Sequence, residues 1–211
     1  MYFRFHKEIS AALIILFLLV IFFYFIYKPL FLIFLILLIF TFYFFRDPER
    51  TIIGDDDYLV SPADGEVIKV EEVDGPKELN LENKRFKKIS IFMNVFDCHV
   101  NRSPCGGKIE EILYKPGKFF NASLDKASED NERNYFKIKD NQNNDIVLVQ
   151  IAGLVARRIV CEANKDQELN QGDRVGMIRF GSRADVYYEN YEPLVKVGQI
   201  AVSGETLLAK K

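Results

Sequence analysis

Cysteine is scarce in this 211-residue chain. Cys98, Cys105 and Cys161 make an odd number, and no two of them form a Cys-x-x-Cys pair. This pattern excludes a disulfide scaffold and argues against a structural zinc site, because both need several cysteines at suitable spacings. We therefore expect reduced thiols in a domain that faces the cytosol.

An excess of positive charge is also missing. The chain has 28 Lys and Arg residues against 30 Asp and Glu residues, which gives a formal net charge of −2. A nucleic-acid-binding protein needs a cationic surface that neutralises phosphates. The composition therefore excludes a strongly basic nucleic-acid binder.

Charge is almost absent from the first 45 residues, which hold 12 of the 19 phenylalanines. Lys28-Pro29 divides this segment into two apolar runs, Ile9–Tyr27 and Leu30–Phe45. At about 1.5 Å per residue, each run just reaches across a hydrocarbon core of roughly 30 Å, although the second is slightly short. Residues 1–45 are therefore predicted to form an α-helical membrane hairpin, and a purely soluble protein is excluded.

Basic residues flank both outer ends of this hairpin. Arg4 and Lys7 precede the first run, and Arg46 and Arg50 follow the second. The positive-inside rule then places both termini in the cytoplasm. A shallow hairpin that does not fully cross is the alternative, because the second run is short. In both cases the rest of the chain lies against the inner leaflet of the cell membrane, where its substrate could be a lipid.

Residues 46–211 have a different pattern, in which short apolar runs alternate with turn residues. This pattern predicts a β-rich domain with little helix. The length is sufficient for one compact domain with its own core. The predicted strands are Gly65–Val73, Lys88–Val100, Lys108–Tyr114, Tyr135–Lys139, Ile146–Ile151, Arg157–Glu162, Arg174–Arg179, Ala184–Tyr188 and Gln199–Val202.

Two short segments of this domain resemble each other, Ser61–Val67 and Ser103–Ile109. Both have Ser-Pro, two further residues, Gly, one residue and then a β-branched residue. We call them the Ser-Pro segments. They resemble the strand openings of biotinyl/lipoyl-type folds, which are built by duplication. The expected fold class is therefore mainly β (α+β), with a duplicated hybrid or biotinyl-like architecture.

Histidine is the scarcest chemically active residue. Of the two in the chain, His6 belongs to the N-terminal segment, so that His99 is the one imidazole of the β-rich domain. In an extended strand Asp97, His99 and Asn101 would share one face, which suits the rim of a pocket. A hydrogen-bonded structural histidine explains the residue equally well.

Other candidate residues are ambiguous when each is considered by itself. Asp64 lies in a turn sequence, where Asp commonly bonds to its own backbone. Arg102, Arg157 and Arg158 could bind a phosphate or could belong to a solvated strand face. Gly181-Ser182 could be an ordinary turn, and it lacks the Gly-x-Ser-x-Gly frame of an α/β-hydrolase.

Considered together, these segments are recognisable, because the chain resembles the short-form phosphatidylserine decarboxylase proenzymes over nearly its whole length. Several ordered blocks that match together are far more specific than any one of them. Longer members have Thr after the Gly-Ser pair, whereas this chain has Arg183, as the short branch does. The matching blocks are Phe44–Pro48, Ser61–Gly65, Val95–Arg102, Lys115–Phe119, Asn121–Ala127, Gln150–Cys161 and Arg179–Arg183.

The resemblance implies that the chain cuts itself between Gly181 and Ser182, and that Ser182 becomes a pyruvoyl cofactor. It implies an enzyme of the inner membrane leaflet that converts phosphatidylserine to phosphatidylethanolamine and CO2. Ser182, His99 and Asp64 would be catalytic, with His99 as base and proton donor and Asp64 orienting it.

The same resemblance implies the partners of the enzyme. These are a phospholipid substrate, the membrane, and a large and a small chain cut from one precursor, with no nucleic acid and no metal. The oligomeric state stays open. Arg102, Arg157 and Arg158 are the tentative residues that would bind the substrate.

Two alternatives stay open at this point. The first is a decarboxylase of another serine-headed lipid, such as archaetidylserine, since the reacting headgroup would be the same. The second is a membrane-anchored β-domain without enzymatic activity, in which Gly181-Ser182 is an ordinary turn.

Overall fold

The computed structural model describes residues 4–123, 130–154, 158–179 and 181–211. The chain forms two compact units, Met1–Glu49 and Arg50–Lys211. Each unit is described by itself below.

The N-terminal unit is a helical hairpin, as predicted. Its helices are α1, Ile9–Ile26, and α2, Lys28–Phe44. The break lies at Tyr27, which has an extended backbone, rather than at Lys28-Pro29. Pro29 is tolerated in the first turn of α2 because an amide at that position has no partner within the helix. By length and composition, α1 is able to cross a membrane, and α2 is one residue shorter.

The second unit is mainly β, which confirms the predicted fold class. Each of its strand pairs in the described part of the chain is antiparallel. A short 3-10 helix covers Lys77–Leu79. The strands are β1 Tyr58–Val60, β2 Gly65–Asp74, β3 Arg85–Met93, β4 Val100–Arg102, β5 Gly107–Lys115, β6 Arg133–Asp140, β7 Asp145–Ile151, β8 Ile159–Cys161, β9 Glu168–Leu169, β10 Arg174–Ile178, β11 Ser182–Tyr188, β12 Glu192–Pro193, β13 Ile200–Ala201 and β14 Leu207–Lys210.

The strand order has an internal two-fold pattern. The large sheet runs β13-β2-β3-β11-β7-β6-β5-β9, and the two small sheets run β1-β14-β12 and β4-β10-β8. The order β9-β5-β6-β7 corresponds to β13-β2-β3-β11, and β4-β10-β8 corresponds to β1-β14-β12, so that the unit consists of two similar halves. One half is continuous in sequence, residues 100–178, and we call it the continuous half. The other, which we call the split half, consists of residues 58–93 and 182–210.

The Ser-Pro segments confirm the duplication at the level of single hydrogen bonds. The Ser61 hydroxyl donates to the carbonyl two residues further on at 2.6 Å, and Ser103 does the same at 2.6 Å. The proline carbonyl of each segment accepts the backbone amide that precedes the serine of the other, at 2.9 Å in both directions. The weak sequence repeat therefore marks two equivalent corners of one duplicated fold.

The core lies on both faces of the large sheet. The apolar side chains of one face form the main hydrophobic cluster together with residues of both small sheets, such as Leu59, Val175 and Ala209. The other face is covered by a smaller cluster that includes the segment after the 3-10 helix. The buried members of this second cluster are Leu79, Leu81, Phe86, Tyr135, Val147, Val149 and Ile151.

One predicted strand is wrong in its second half. Lys88–Val100 was expected to be continuous, but β3 ends at Met93 and residues 94–99 form a turn. The Asn94 side chain accepts the Phe96 amide, and the Asp97 carboxylate accepts the Asn94 amide, at 2.8 Å each. Such side chains offer the backbone an alternative to the sheet ladder, which explains the break. The expected common face of Asp97, His99 and Asn101 therefore does not form.

Candidate active site

Gly181-Ser182 lies where the chain enters β11. Ser182 is the first residue of this strand, lies opposite Met93 of β3 and is fully buried. Its hydroxyl donates to the Met93 sulfur at 3.8 Å. A thioether is a weak acceptor, so this contact holds the hydroxyl only loosely.

The His99 ring lies against the peptide that precedes Ser182. Its Nε2 atom accepts the Gly181 backbone N–H at 3.3 Å, and its Nδ1 atom lies 3.0 Å from the Asp97 carbonyl oxygen. The carbonyl can only accept, which assigns the ring proton to Nδ1 and a lone pair to Nε2. A buried imidazole of this tautomer, with its basic nitrogen at the Gly181 amide, is suited to act as a general base.

The Gly181 carbonyl lies directly against Gly153, in the loop after β7. A Cβ atom added to Gly153 would stand 1.7 Å from the Gly181 oxygen and 2.8 Å from its carbonyl carbon. Gly181 itself has a φ of +57°, in the left-handed region that glycine adopts without strain. Two glycines therefore bring the carbonyl carbon that precedes Ser182 into a place where no larger residue at position 153 would fit.

Asp64 lies in the middle of the first Ser-Pro segment, but its hydrogen bonds in the described part of the chain do not go to His99. Arg50 Nη2 donates to both carboxylate oxygens, at 2.9 and 2.7 Å, and the Ser203 amide donates at 2.8 Å. The structure thus pairs Asp64 with Arg50, and the Asp97 carbonyl is the observed partner of His99 Nδ1.

Comparison with known proteins shows the family of the chain. The family model for phosphatidylserine decarboxylase matches residues 37–209, which include every residue of the site described above. The chain belongs to the phosphatidylserine decarboxylase family. It is therefore an enzyme of the decarboxylase class that is made as a proenzyme, and the alternative of a non-enzymatic β-domain is wrong.

Three relatives illustrate the similarity, and each is named phosphatidylserine decarboxylase proenzyme. The protein of Pelagibacter ubique (strain HTCC1062) is 76% identical over 168 residues, which are 80% of this chain and 78% of that protein. The protein of Ruegeria pomeroyi is 54% identical over 79% of this chain and 76% of its own length. The protein of Cereibacter sphaeroides is 48% identical over 97% of this chain and 88% of its own length.

A buried chain of side-chain amides connects the surroundings of Ser182 to the sheet. Asn134 Nδ2 donates to Gln150 Oε1 at 3.3 Å, and Gln150 Nε2 donates to Asn101 Oδ1 at 2.9 Å. Asn101 Nδ2 in turn lies 3.6 Å from the sulfur of Met93, which accepts the Ser182 hydroxyl. Met93 and Gln150 were not predicted as site residues, although a glutamine within an apolar strand is a recognisable signal.

The structure describes two of the three arginines proposed for substrate binding, Arg102 and Arg158. Arg102 is buried, and its Nη1 atom donates to the Gly172 carbonyl at 3.0 Å. Arg158 is exposed, and Arg157 lies outside the described residues. Their assignment to the phosphate stays a prediction.

Within residues 4–123, 130–154, 158–179 and 181–211, no three His, Cys, Asp or Glu side chains are grouped so that they could hold a metal ion. None of the three cysteines forms a disulfide, and burial raises the pKa of Cys105 well above its usual range. A buried thiol with a raised pKa is inert as a nucleophile, which excludes Cys105. The Ser182 hydroxyl is the candidate nucleophile at this site, because it follows the Gly181 carbonyl directly in the chain.

Proposed function

We propose that this proenzyme cuts itself between Gly181 and Ser182 and then decarboxylates phosphatidylserine to phosphatidylethanolamine. Family membership supports the reaction class. The position of His99 is the observation that supports cleavage at this peptide bond, because its basic nitrogen accepts the Gly181 amide at 3.3 Å. A serine hydroxyl needs such a neighbouring base to become a nucleophile.

The proposed cleavage begins when Ser182 Oγ exchanges its sulfur acceptor for His99 and attacks the Gly181 carbonyl carbon. The new C–O bond replaces the C–N bond, so that an ester and a free Ser182 amine result. Removal of the Ser182 α-proton then expels the Gly181 carboxylate and leaves a dehydroalanine. Water replaces its nitrogen, which departs as ammonia and leaves a pyruvoyl group on Arg183. The two glycines, Gly181 and Gly153, support attack at this carbonyl because neither places a side chain beside it.

A pyruvoyl group formed from Ser182 would lie in buried surroundings beside His99. Ser182 and His99 are fully buried, which excludes bulk water from the reacting carbon. A pyruvoyl group supplies an electron-withdrawing carbonyl that accepts the electrons left when CO2 departs. His99 is the proposed donor of the proton that replaces the carboxylate on the former α-carbon of the substrate.

We assign Asp64 a positioning role in this scheme. The Ser-Pro turn that carries it is bound to the strand after His99, since the Pro62 carbonyl accepts the Arg102 amide at 2.9 Å and the Asn101 side chain at 3.4 Å. The Asp64 carboxylate in this turn pairs with Arg50, and the two side chains are largely buried, with exposures of 16% for Asp64 and 13% for Arg50. This ion pair fixes the turn. Asp64 would then act on His99 through the turn and β4.

The proposed location is the cell membrane, with the β-rich unit on the cytoplasmic side. The helical hairpin supports the membrane, and the basic residues at its outer ends support the orientation. The substrate would be reached from the inner leaflet.

Mass spectrometry of the purified full-length chain tests the proposal. We expect two products, residues 1–181 and the 30-residue segment 182–211, the latter with a blocked N-terminus that reacts with hydroxylamine. Release of CO2 from phosphatidylserine vesicles should accompany cleavage. An intact chain with full decarboxylase activity would refute self-cleavage as the source of activity.

A further inference from the structure

A buried ion pair immediately follows Ser182. On β11, Arg183 Nε donates to Asp185 Oδ1 at 2.6 Å and Arg183 Nη2 to Asp185 Oδ2 at 2.7 Å. The two side chains are 0% and 1% exposed. A bidentate guanidinium–carboxylate pair of this kind fixes both partners in one geometry.

The pair lies on the face of the large sheet opposite to the Ser182 side chain, because neighbouring side chains of a strand alternate. Its ladder partners are apolar or uncharged: Arg183 lies between Phe92 and Ile151, and Asp185 lies between Ser90 and Val149. Burial, and to a smaller extent the nearby Asp185 carboxylate, raises the pKa of Tyr187 on the same strand. The pair thus sits in a low-dielectric environment, where one charge without the other is unfavourable.

Cleavage would turn the start of β11 into a chain terminus. Before cleavage, Ser182 is tethered on both sides. After cleavage, the group formed from Ser182 is the end of a strand, and strand ends fray because few contacts hold them. The Arg183 backbone nitrogen would be the atom to which the new group is attached.

We propose that the Arg183–Asp185 pair is a positioning device that holds the pyruvoyl-bearing end of β11 in the sheet. The proposal rests on the cleavage proposed above. Fraying of Arg183 into water would leave the Asp185 carboxylate buried without its guanidinium, which opposes fraying. Arg183 and Asp185 act through the strand and do not touch substrate. They are positioning residues.

The test uses the full-length protein with Arg183→Met/Asp185→Leu, which removes both charges and keeps similar volume. Such a replacement typically preserves stability. We expect cleavage within twofold of wild type, kcat lowered at least tenfold, KM within twofold and a several-fold faster reaction of the pyruvoyl group with hydroxylamine. Arg183→Lys, which keeps the charge but loses the bidentate fork, should show the same changes to a smaller extent.

Val186→Ala is the matched control, since it weakens the same strand on the Ser182 face without touching the pair. It should lower the melting temperature and leave kcat and the hydroxylamine rate unchanged. The inference is overturned if both pair variants keep the wild-type kcat and hydroxylamine rate, or if Val186→Ala changes them equally. A wild-type chain that shows no cleavage and no hydroxylamine-reactive group would instead overturn the proposed function.

Discussion

Gly153→Ala offers the sharpest test of how the scissile carbonyl is held. The added Cβ would stand 1.7 Å from the Gly181 oxygen, and the atom it meets is backbone, which cannot rotate away as a side chain can. A normal carbon–oxygen contact needs about 1.5 Å more, so that the Gly181 carbonyl or the loop after β7 must move by roughly that distance. Misplacement by about 1 Å costs on the order of 100-fold in rate. We therefore expect cleavage at least 100-fold slower, which is about 2.7 kcal/mol in the activation free energy.

The assay follows the intact chain by denaturing gel electrophoresis after synthesis at a fixed temperature, with the melting temperature of the same sample measured in parallel. Gly198→Ala is the control. Its φ is +88° and its added Cβ meets no atom within 4 Å, so that it adds backbone strain of about 1–2 kcal/mol without touching the site. Wild-type cleavage by Gly153→Ala, or equal slowing by Gly198→Ala, would show that the close approach of Gly153 does not position the carbonyl.

Three further predictions concern single side chains. Ser182→Ala should abolish cleavage and decarboxylation, whereas Ser182→Cys should still cleave slowly because a thiol can attack; activity in an uncleaved Ser182→Ala protein would exclude the pyruvoyl mechanism. His99→Gln should stop cleavage while the chain stays folded, as circular dichroism can verify, and cleavage at the wild-type rate would remove His99 from the scheme. Asp64→Asn and Arg50→Met should each slow cleavage about tenfold if their ion pair fixes the turn beside β4; slowing by Asp64→Asn alone would indicate direct action of the carboxylate on His99.

The pH dependence of stability yields one more prediction in a region remote from the catalytic chemistry. Burial by itself raises the pKa of Asp145, but hydrogen bonds from Lys84 and Lys139 outweigh it, and the pKa in the folded state is lowered. The carboxylate therefore stabilises the fold at neutral pH, and this stabilisation is lost as the pH falls through the lowered pKa. Asp145→Asn should flatten the decline of the melting temperature in acid, and an unchanged profile would contradict the assignment.

Most of the β-rich fold could be predicted from the sequence because its longer strands are short apolar runs and its turns carry Gly, Pro, Asn and Asp. The predictions for β2, β5, β6, β7, β10 and β11 agree with the structure to within two residues. The short strands β1, β9, β12 and β14 were missed, and of β4 only Val100 was predicted, since two to four residues show no periodicity. The Ser-Pro segments, weak as a sequence signal, mark the duplication correctly.

The candidate site was harder to predict because its contacts join residues that are distant in sequence. Ser182 and His99 were identified, and they do meet the same peptide. Local sequence gave no sign that Gly153 would approach Gly181, that Met93 would accept the Ser182 hydroxyl, or that Arg50 would bind Asp64. Each of these contacts depends on how two separate strands or turns pack, which periodicity does not encode.

The duplicated topology explains why His99 and Gly181 meet. The chain leaves the split half after β3 and enters the continuous half at β4; it leaves the continuous half after β10 and returns at β11. Because β4 pairs with β10 and β3 pairs with β11, the two connections must run side by side. The hydrogen bond from the Ile178 amide to the His99 carbonyl, at 3.3 Å, joins them. His99 ends the outgoing connection and Gly181 ends the returning one, so the fold itself brings a base to the peptide that is proposed to be cut. Cleavage there would release no strand from its sheet, since β11 stays paired with both β3 and β7 and β14 with β1.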